Sequence, residues 1–153
     1  MENIYLRKLK ESDFKEFERY SNDLEIHKYT TFDIFKYASK IGIEKYLDDN
    51  KNTSYAICLS KTDKLIGDAG FSIKNNNAEI GLTIFDKNSW GKDYGQETTK
   101  ELISIIKKKY PNIKIELTVN KNNIRAIKCY EKVGFKIEGT SKKLPDEFFM
   151  ILK

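Results

Sequence analysis

A strand pattern, a short helix pattern and a glycine stop follow one another directly between residues 115 and 135. Residues 115–119 alternate apolar and polar side chains, and Gly134 marks the end of a helix predicted over 123–133. Asn123, Ala126 and Tyr130 recur at spacings of three and four, so one helix face carries an amide, a small residue and a phenol. We therefore expect a strand–helix unit whose helix presents one face to a ligand.

The length of 153 residues suits one domain with a sizeable core and is too short for two ordinary ones, so we expect a single domain over 1–153. Residues 1–5 do not resemble a signal peptide, and no apolar run approaches the roughly 18 residues of a membrane span. Cys58 and Cys129 lie far apart in the sequence and His27 is the single histidine. We therefore expect a soluble, cytoplasmic protein with no metal site.

The formal net charge of +5 raises the question of nucleic-acid binding. The basic side chains are lysines except for Arg7, Arg19 and Arg125, and acidic residues are interleaved with them. This pattern favours a solvated lysine-rich surface, and it is equally compatible with weak attraction of a polyanionic small molecule such as coenzyme A.

The order of predicted elements is β-α-α-β-β-β-α-β-α-β-β. Strands are expected at 3–9, 54–59, 65–73, 78–85, 113–119, 135–140 and 147–152, and the longest helix at about 95–109. Ser12 or Asp13 is expected to cap the first helix, with Glu16 placed as in a capping box. We predict an α/β fold with a central mixed, mostly antiparallel sheet and helices on both faces.

The loop over residues 86–97 contains two glycines and leads into the N-terminus of a helix. Such a turn presents unpaired backbone N–H groups and the positive end of the helix dipole, which suits a pyrophosphate. It is not a P-loop, because Asp93 follows Lys92 where a Ser or Thr would be needed, and it lacks the dinucleotide-binding glycine pattern.

This loop and the 120–135 segment resemble the two conserved blocks of the GNAT superfamily of acyl-CoA-dependent N-acyltransferases. The sequence from Trp90 to Glu97 is most similar to the branch related to ribosomal-protein-alanine N-acetyltransferases. The predicted order of elements matches the GNAT fold over essentially the whole chain. The resemblance implies acetyl-CoA as cosubstrate without a metal, a small-molecule or peptide amine as acceptor, and leaves a homodimer open.

By this resemblance, the amides of residues 91–96 would hold the pyrophosphate, and pantetheine would lie along residues 82–85 like an added strand. Asn123 would bond the pantetheine arm, and Lys132 would approach the adenosine phosphate. The implied cofactor-binding residues are Leu82, Ile84, Phe85, Trp90, Gly91, Lys92, Asp93, Tyr94, Gly95, Gln96, Asn123, Ala126, Tyr130 and Lys132.

Asp93 departs from this family pattern, which has a glycine at that position. Aspartate tolerates unusual backbone angles better than most residues, so the turn is expected to survive. A carboxylate beside a pyrophosphate is nevertheless expected to weaken coenzyme binding.

Acyl transfer from a thioester to an amine requires a neutral amine, a polarised carbonyl and a proton for the thiolate. Tyr130 resembles the family's general acid, and a backbone N–H near Ile84 would polarise the carbonyl. Glu79, at the start of the strand that would carry the cofactor, is the candidate general base. It shares a sheet face with Gly81 and Thr83.

Several alternatives stay open at this point. His27 is either a surface residue or a substrate contact, and Tyr29, Phe32, Phe35 and Tyr37 form either core or an acceptor-binding wall. Protein N-termini, polyamines, aminoglycoside-like antibiotics and amino-acid derivatives all suit as acceptors. A catalytically weak acyl-CoA sensor and a basic nucleic-acid-binding module are the two rival functions.

Overall fold

The computed structural model describes residues 2–20, 23–28 and 40–153, without the side chains of His27 and residues 40–42. Its strands and helices, in chain order, are β1 (Ile4–Lys8), α1 (Asp13–Tyr20), α2 (Leu24–His27), α3 (Lys40–Asp49), β2 (Ser54–Leu59), β3 (Leu65–Lys74), β4 (Asn77–Ile84), α4 (Tyr94–Lys109), β5 (Lys114–Asn120), α5 (Ile124–Val133), β6 (Phe135–Thr140) and β7 (Glu147–Leu152). The elements follow the predicted order, and the single-turn helix α2 is an addition to it.

Across the described part of the chain, seven strands form one sheet in the order β1-β2-β3-β4-β5-β7-β6. Every neighbouring pair is antiparallel except β4 and β5. These two parallel strands pair only at their beginnings, where residues 77–79 meet residues 114–116. Beyond Glu79 they diverge, so the sheet has an opening in its middle. The mixed, mostly antiparallel sheet confirms the predicted fold class.

The two faces of the sheet differ in chemistry, because side chains alternate along each strand. On one face, Phe71, Ile80 and Leu117 pack against α4 and α5 in the main hydrophobic core. We call this the apolar face. The opposite face carries four carboxyl groups, one from each of the strands β3, β4, β5 and β7, and we call it the acidic face: Asp68, Glu79, Glu116 and Glu147.

A second, smaller core lies beside the first helices. Phe14, Phe17 and Ile26 pack there with Phe85, which follows directly after β4. The expected capping box of α1 is not formed as predicted, because the Asp13 carboxylate accepts two hydrogen bonds from Arg7 at 2.8 and 2.9 Å and one from the Lys10 N–H at 2.8 Å. This partly buried ion pair fixes the start of α1 to β1.

Glycine is required where β3 passes β4 closely. A Cβ on Gly67 would lie 2.2 Å from the backbone oxygen of Thr83, well inside van der Waals contact. Gly134 ends α5 as predicted, with a positive φ of 121° and an N–H that bonds the carbonyls of Tyr130 and Glu131.

Candidate functional site

A cleft of about 960 Å³ lies where β4 and β5 diverge. Its lining includes Ile80 and Tyr130 from the apolar face and Glu79 and Thr118 from the acidic face, so the cleft reaches both sides of the sheet through the opening. The residues predicted for the site that line it are Glu79, Leu82, Ile84, Trp90, Gly91, Asp93, Tyr94, Gly95, Gln96, Asn123, Ala126, Tyr130 and Lys132.

Two residues predicted to bind the cofactor do not line the cleft. Phe85 has only 3% of its surface exposed, and its ring stacks on Tyr20 at 4.5 Å in the second core. Its N–H donates to the Ile66 carbonyl at 2.9 Å, so neither its side chain nor its amide is free for a ligand. Lys92 is exposed in the loop before α4 and lies outside the cleft lining.

The loop between β4 and α4 is anchored at three points. Buried Asp86 accepts hydrogen bonds from Ser89 at 2.7 Å and from Lys64 at 3.2 Å. Burial alone would raise the pKa of the Asp86 carboxyl, but these two partners hold that pKa below its ordinary value. The Trp90 indole N–H donates to the Ile84 carbonyl at 2.8 Å. The Arg125 guanidinium lies 4.0 Å from the centre of the Trp90 ring, a cation–π contact that joins the loop to α5.

The N-terminus of α4 faces the cleft. Asp93 precedes it with φ 63° and ψ 16°, the left-handed conformation that glycine adopts without strain. Its side chain does not cap the helix, and its carboxylate instead accepts from the Gln96 side-chain amide at 3.1 Å. The first N–H groups of a helix have no partner within it, so this end is suited to bind an anion.

Tyr130 lies on α5, and Asn123 is the residue that caps the N-terminus of α5. Tyr130 is 8% exposed, with its ring edge against Phe135, and burial raises the pKa of its phenol well above the usual range. The phenol therefore keeps its proton at neutral pH. The Asn123 side chain caps α5 by accepting from the Ala126 N–H at 3.3 Å, which fixes the amide at the mouth of the cleft.

Cys129 has a structural position between the two helices. Its sulfur would lie 3.2 Å from a Cβ on Gly95, so a small residue is needed where α4 meets α5. Burial, and then the charge of Asp93, raise the pKa of the Cys129 thiol to about 11. A thiol that stays protonated is a poor nucleophile, so this environment favours a structural role for Cys129.

The carboxyl groups of the acidic face have different environments. Glu79, the predicted base, is exposed and lies directly across from Glu116, whose pKa is raised first by burial and then by the charge of Glu79. Asp68 is half-buried opposite Thr83, and burial raises the pKa of its carboxyl to about 7. Glu147 is 8% exposed, and its Oε2 has no hydrogen-bond partner.

Asp68, Arg125 and Glu147 also line the cleft and were not predicted from the sequence. Asp68 had a local signal, since it is a charged residue within the largely apolar strand 65–71. Arg125 and Glu147 had no such signal, because their positions at the cleft depend on contacts between distant segments. The aromatic residues Tyr29, Phe32, Phe35 and Tyr37 and the side chain of His27 lie outside the described residues.

Among residues 2–20, 23–28 and 40–153, no three His, Cys, Asp or Glu side chains are grouped as ligands for a metal ion. Over that same part of the chain, every helix is too short or too polar to cross a membrane.

Comparisons with known proteins agree on one family. A family model described as an acetyltransferase (GNAT) domain matches residues 3–136. The chain is 29% identical to the Bacillus licheniformis protein named uncharacterized N-acetyltransferase p20, over 90% of this chain and 82% of that one. It is 30% identical to the spermine/spermidine N(1)-acetyltransferase of Bacillus subtilis, over 61% of this chain and 68% of that one.

Solved structures share the fold over nearly the full length. An acetyltransferase of the GNAT family from Bacillus anthracis superposes with a TM-score of 0.80 at 20% identity, covering 99% of this chain and 95% of that one. The spermidine N-acetyltransferase of Vibrio cholerae, in complex with CoA and spermine, gives a TM-score of 0.76 at 21% identity, covering 98% and 95%.

Proposed function

The chain belongs to the GNAT family of acetyltransferases, and from that premise we propose that it transfers the acetyl group of acetyl-CoA to a primary amine by direct attack. The observation that carries this proposal is the cleft through the sheet. The N-terminus of α4, the buried Tyr130 and three carboxyl-bearing residues of the acidic face line this one cleft: Asp68, Glu79 and Glu147.

The cleft offers groups that fit coenzyme A. Of the amides predicted over residues 91–96, that of Gln96 donates to the Asp93 carbonyl at 3.1 Å, so the N–H groups of residues 91–95 would bind the pyrophosphate. Beyond Glu79, β4 has no partner strand on the β5 side, so the backbone of Leu82 and the N–H of Ile84 are available to pair with pantetheine. The Ile84 carbonyl already accepts from the Trp90 indole. Asn123 and Lys132 line the same cleft and would bind the pantetheine arm and a phosphate.

The proposed reaction needs no covalent intermediate. The amine nitrogen attacks the thioester carbonyl carbon, the C–S bond breaks, and the electron pair leaves on sulfur. Tyr130 gives its proton to the thiolate, and the amine loses a proton to Glu79, directly or through water. Burial raises the pKa of the Tyr130 phenol. Burial also raises the pKa of the coenzyme A thiol formed in the same cleft, so the difference between the two pKa values stays small enough for proton transfer.

The acceptor class has partial support. The B. subtilis relative is named for spermine and spermidine, which supports a polyamine among the four classes considered. The rival function, an acyl-CoA sensor without turnover, is favoured by the Asp93 carboxylate beside the N-terminus of α4. Turnover separates the two functions.

We would measure thiol release from acetyl-CoA with a panel of amines, for the wild type and Tyr130→Phe. The variant should bind coenzyme A normally and lose on the order of 10²–10⁴-fold in turnover, because it lacks the proton donor. Tyr110→Phe is the matched control, since Tyr110 lies at the end of α4 outside the cleft. Equal turnover of wild type and Tyr130→Phe would remove Tyr130 from the mechanism.

A further inference from the structure

Two carboxyl groups lie at the same level of the sheet on opposite sides of its opening. Asp68 on β3 is paired with Thr83 on β4, and Glu147 on β7 is paired with Asn120 on β5. The β4–β5 register aligns Glu79 with Glu116. Thr83 and Asn120 each follow four residues later, so they are level with each other and share the acidic face. Asp68, Thr83, Asn120 and Glu147 therefore form one row across the acidic face, with the opening between Thr83 and Asn120.

Neither carboxyl group has a cation partner among the described residues. The other buried carboxylates are paired: Asp13 bonds Arg7, and Asp86 bonds Lys64. Glu147 is more than nine-tenths buried, lines the cleft, and leaves Oε2 without a hydrogen bond. Burying an acceptor without a partner is costly, so a donor supplied by a ligand is the natural complement.

We propose that Asp68 and Glu147 bind two ammonium groups of one acceptor, which makes the acceptor a diamine or polyamine. This inference rests on the proposed acetylation of amines. Asp68 lies next to β4, the strand along which the acetyl donor would lie, so it binds the ammonium group nearer the donor. Glu79 lies four residues, roughly 13 Å, from this level along β4, so that group loses its proton to Glu79 through water before it attacks. Glu147 lies beyond β5 and holds the distal ammonium group.

The distance between the two sites sets the length of the acceptor. Three strand intervals of about 4.8 Å separate the backbones of β3 and β7, which gives roughly 14 Å, and more where the sheet is open. A hydrogen bond of about 2.9 Å at each carboxylate takes up part of this gap. An extended diamine such as octamethylenediamine then spans the two carboxylates, whereas ethylenediamine is too short to contact both.

The test is calorimetry of amine binding to the protein saturated with coenzyme A, which needs no turnover. We expect octamethylenediamine to bind on the order of tenfold more tightly than octylamine or ethylenediamine, because one charge-assisted hydrogen bond is added. Glu147→Gln should remove this advantage and leave octylamine binding unchanged. Asp68→Asn should weaken both amines.

Asp146→Asn is the matched control, since Asp146 is the exposed neighbour of Glu147 and its loss removes the same charge. It should preserve the preference for the diamine. Equal affinity of the wild type for octamethylenediamine and octylamine would overturn the inference, as would equal losses in Glu147→Gln and Asp146→Asn. Thiol release tests the proposed function separately, because a monoamine-specific enzyme would pass that assay and fail this one.

Discussion

Replacing Asp68 by Asn should stabilise the fold more at alkaline than at acidic pH. The folded protein raises the pKa of this carboxyl from 3.8 to about 7, because burial disfavours the charged form. Between these two values the folded state holds a proton that the unfolded state has released. The wild type therefore loses stability as pH rises through this window, and the loss is complete above about pH 7. Asn carries no charge at any pH in this window, so the variant does not lose this stability.

The size of the effect follows from the pKa shift and the exposure of the side chain. For a fully buried carboxyl, a shift from 3.8 to about 7 corresponds to about 2–3 kcal/mol between about pH 5 and about pH 8. Asp68 is half-buried at an open cleft, where solvent screens the charge. We therefore expect Asp68→Asn to gain about 1 kcal/mol in the free energy of unfolding over that interval.

The assay is urea unfolding of wild type, Asp68→Asn and Asp146→Asn at the two pH values. Comparing each variant with itself at two pH values cancels the constant packing terms of the substitution. Asp146 is exposed, so its variant reports the general effect of removing one negative charge. The same pH dependence in Asp68→Asn and Asp146→Asn would refute this prediction, because the Asp68 carboxyl would then be as well solvated as a surface group.

Two further predictions concern the backbone and the coenzyme loop. Gly67→Ala should lower the free energy of unfolding, measured by urea denaturation, by about 2–4 kcal/mol, because the added Cβ meets the Thr83 oxygen. Gly81→Ala is the control and should cost little, because the space around Gly81 is open. Equal losses in the two variants would contradict the close approach of β3 and β4 at Gly67. Asp93→Asn keeps a residue that tolerates the left-handed conformation and removes one negative charge beside the N-terminus of α4, so coenzyme A should bind about two- to fivefold more tightly, with a larger gain at low salt. Calorimetry at two salt concentrations checks this, and unchanged affinity at low salt would place the Asp93 charge away from the phosphates.

The elements were predictable from the sequence because their signals are local. Alternation placed Glu79, Gly81 and Thr83 on one face of β4, and the structure has the same alternation. Spacing placed Asn123, Ala126 and Tyr130 together on α5, and all three line the cleft. Gly134 ended that helix where expected.

The misplaced or missed residues depend on contacts between distant segments. Phe85 follows the cofactor strand in sequence, but the packing of α1 against the sheet places its ring in the second core. Asp13 has the spacing of a capping box, yet Arg7 from β1 supplies a stronger, charged partner. Glu147 became a candidate only through its register with Asn120 and its unpaired oxygen, neither of which a sequence shows.

The central claim is direct transfer of an acetyl group from acetyl-CoA to an amine. The most direct measurement incubates the protein with octamethylenediamine and acetyl-CoA carrying a deuterated acetyl group, and follows amine, protein and released thiol by mass spectrometry. Direct transfer predicts one deuterated acetyl group on the amine for every thiol released, and none retained on the protein. Thiol release without acetylated amine, or a labelled protein that forms and decays with turnover, would contradict it.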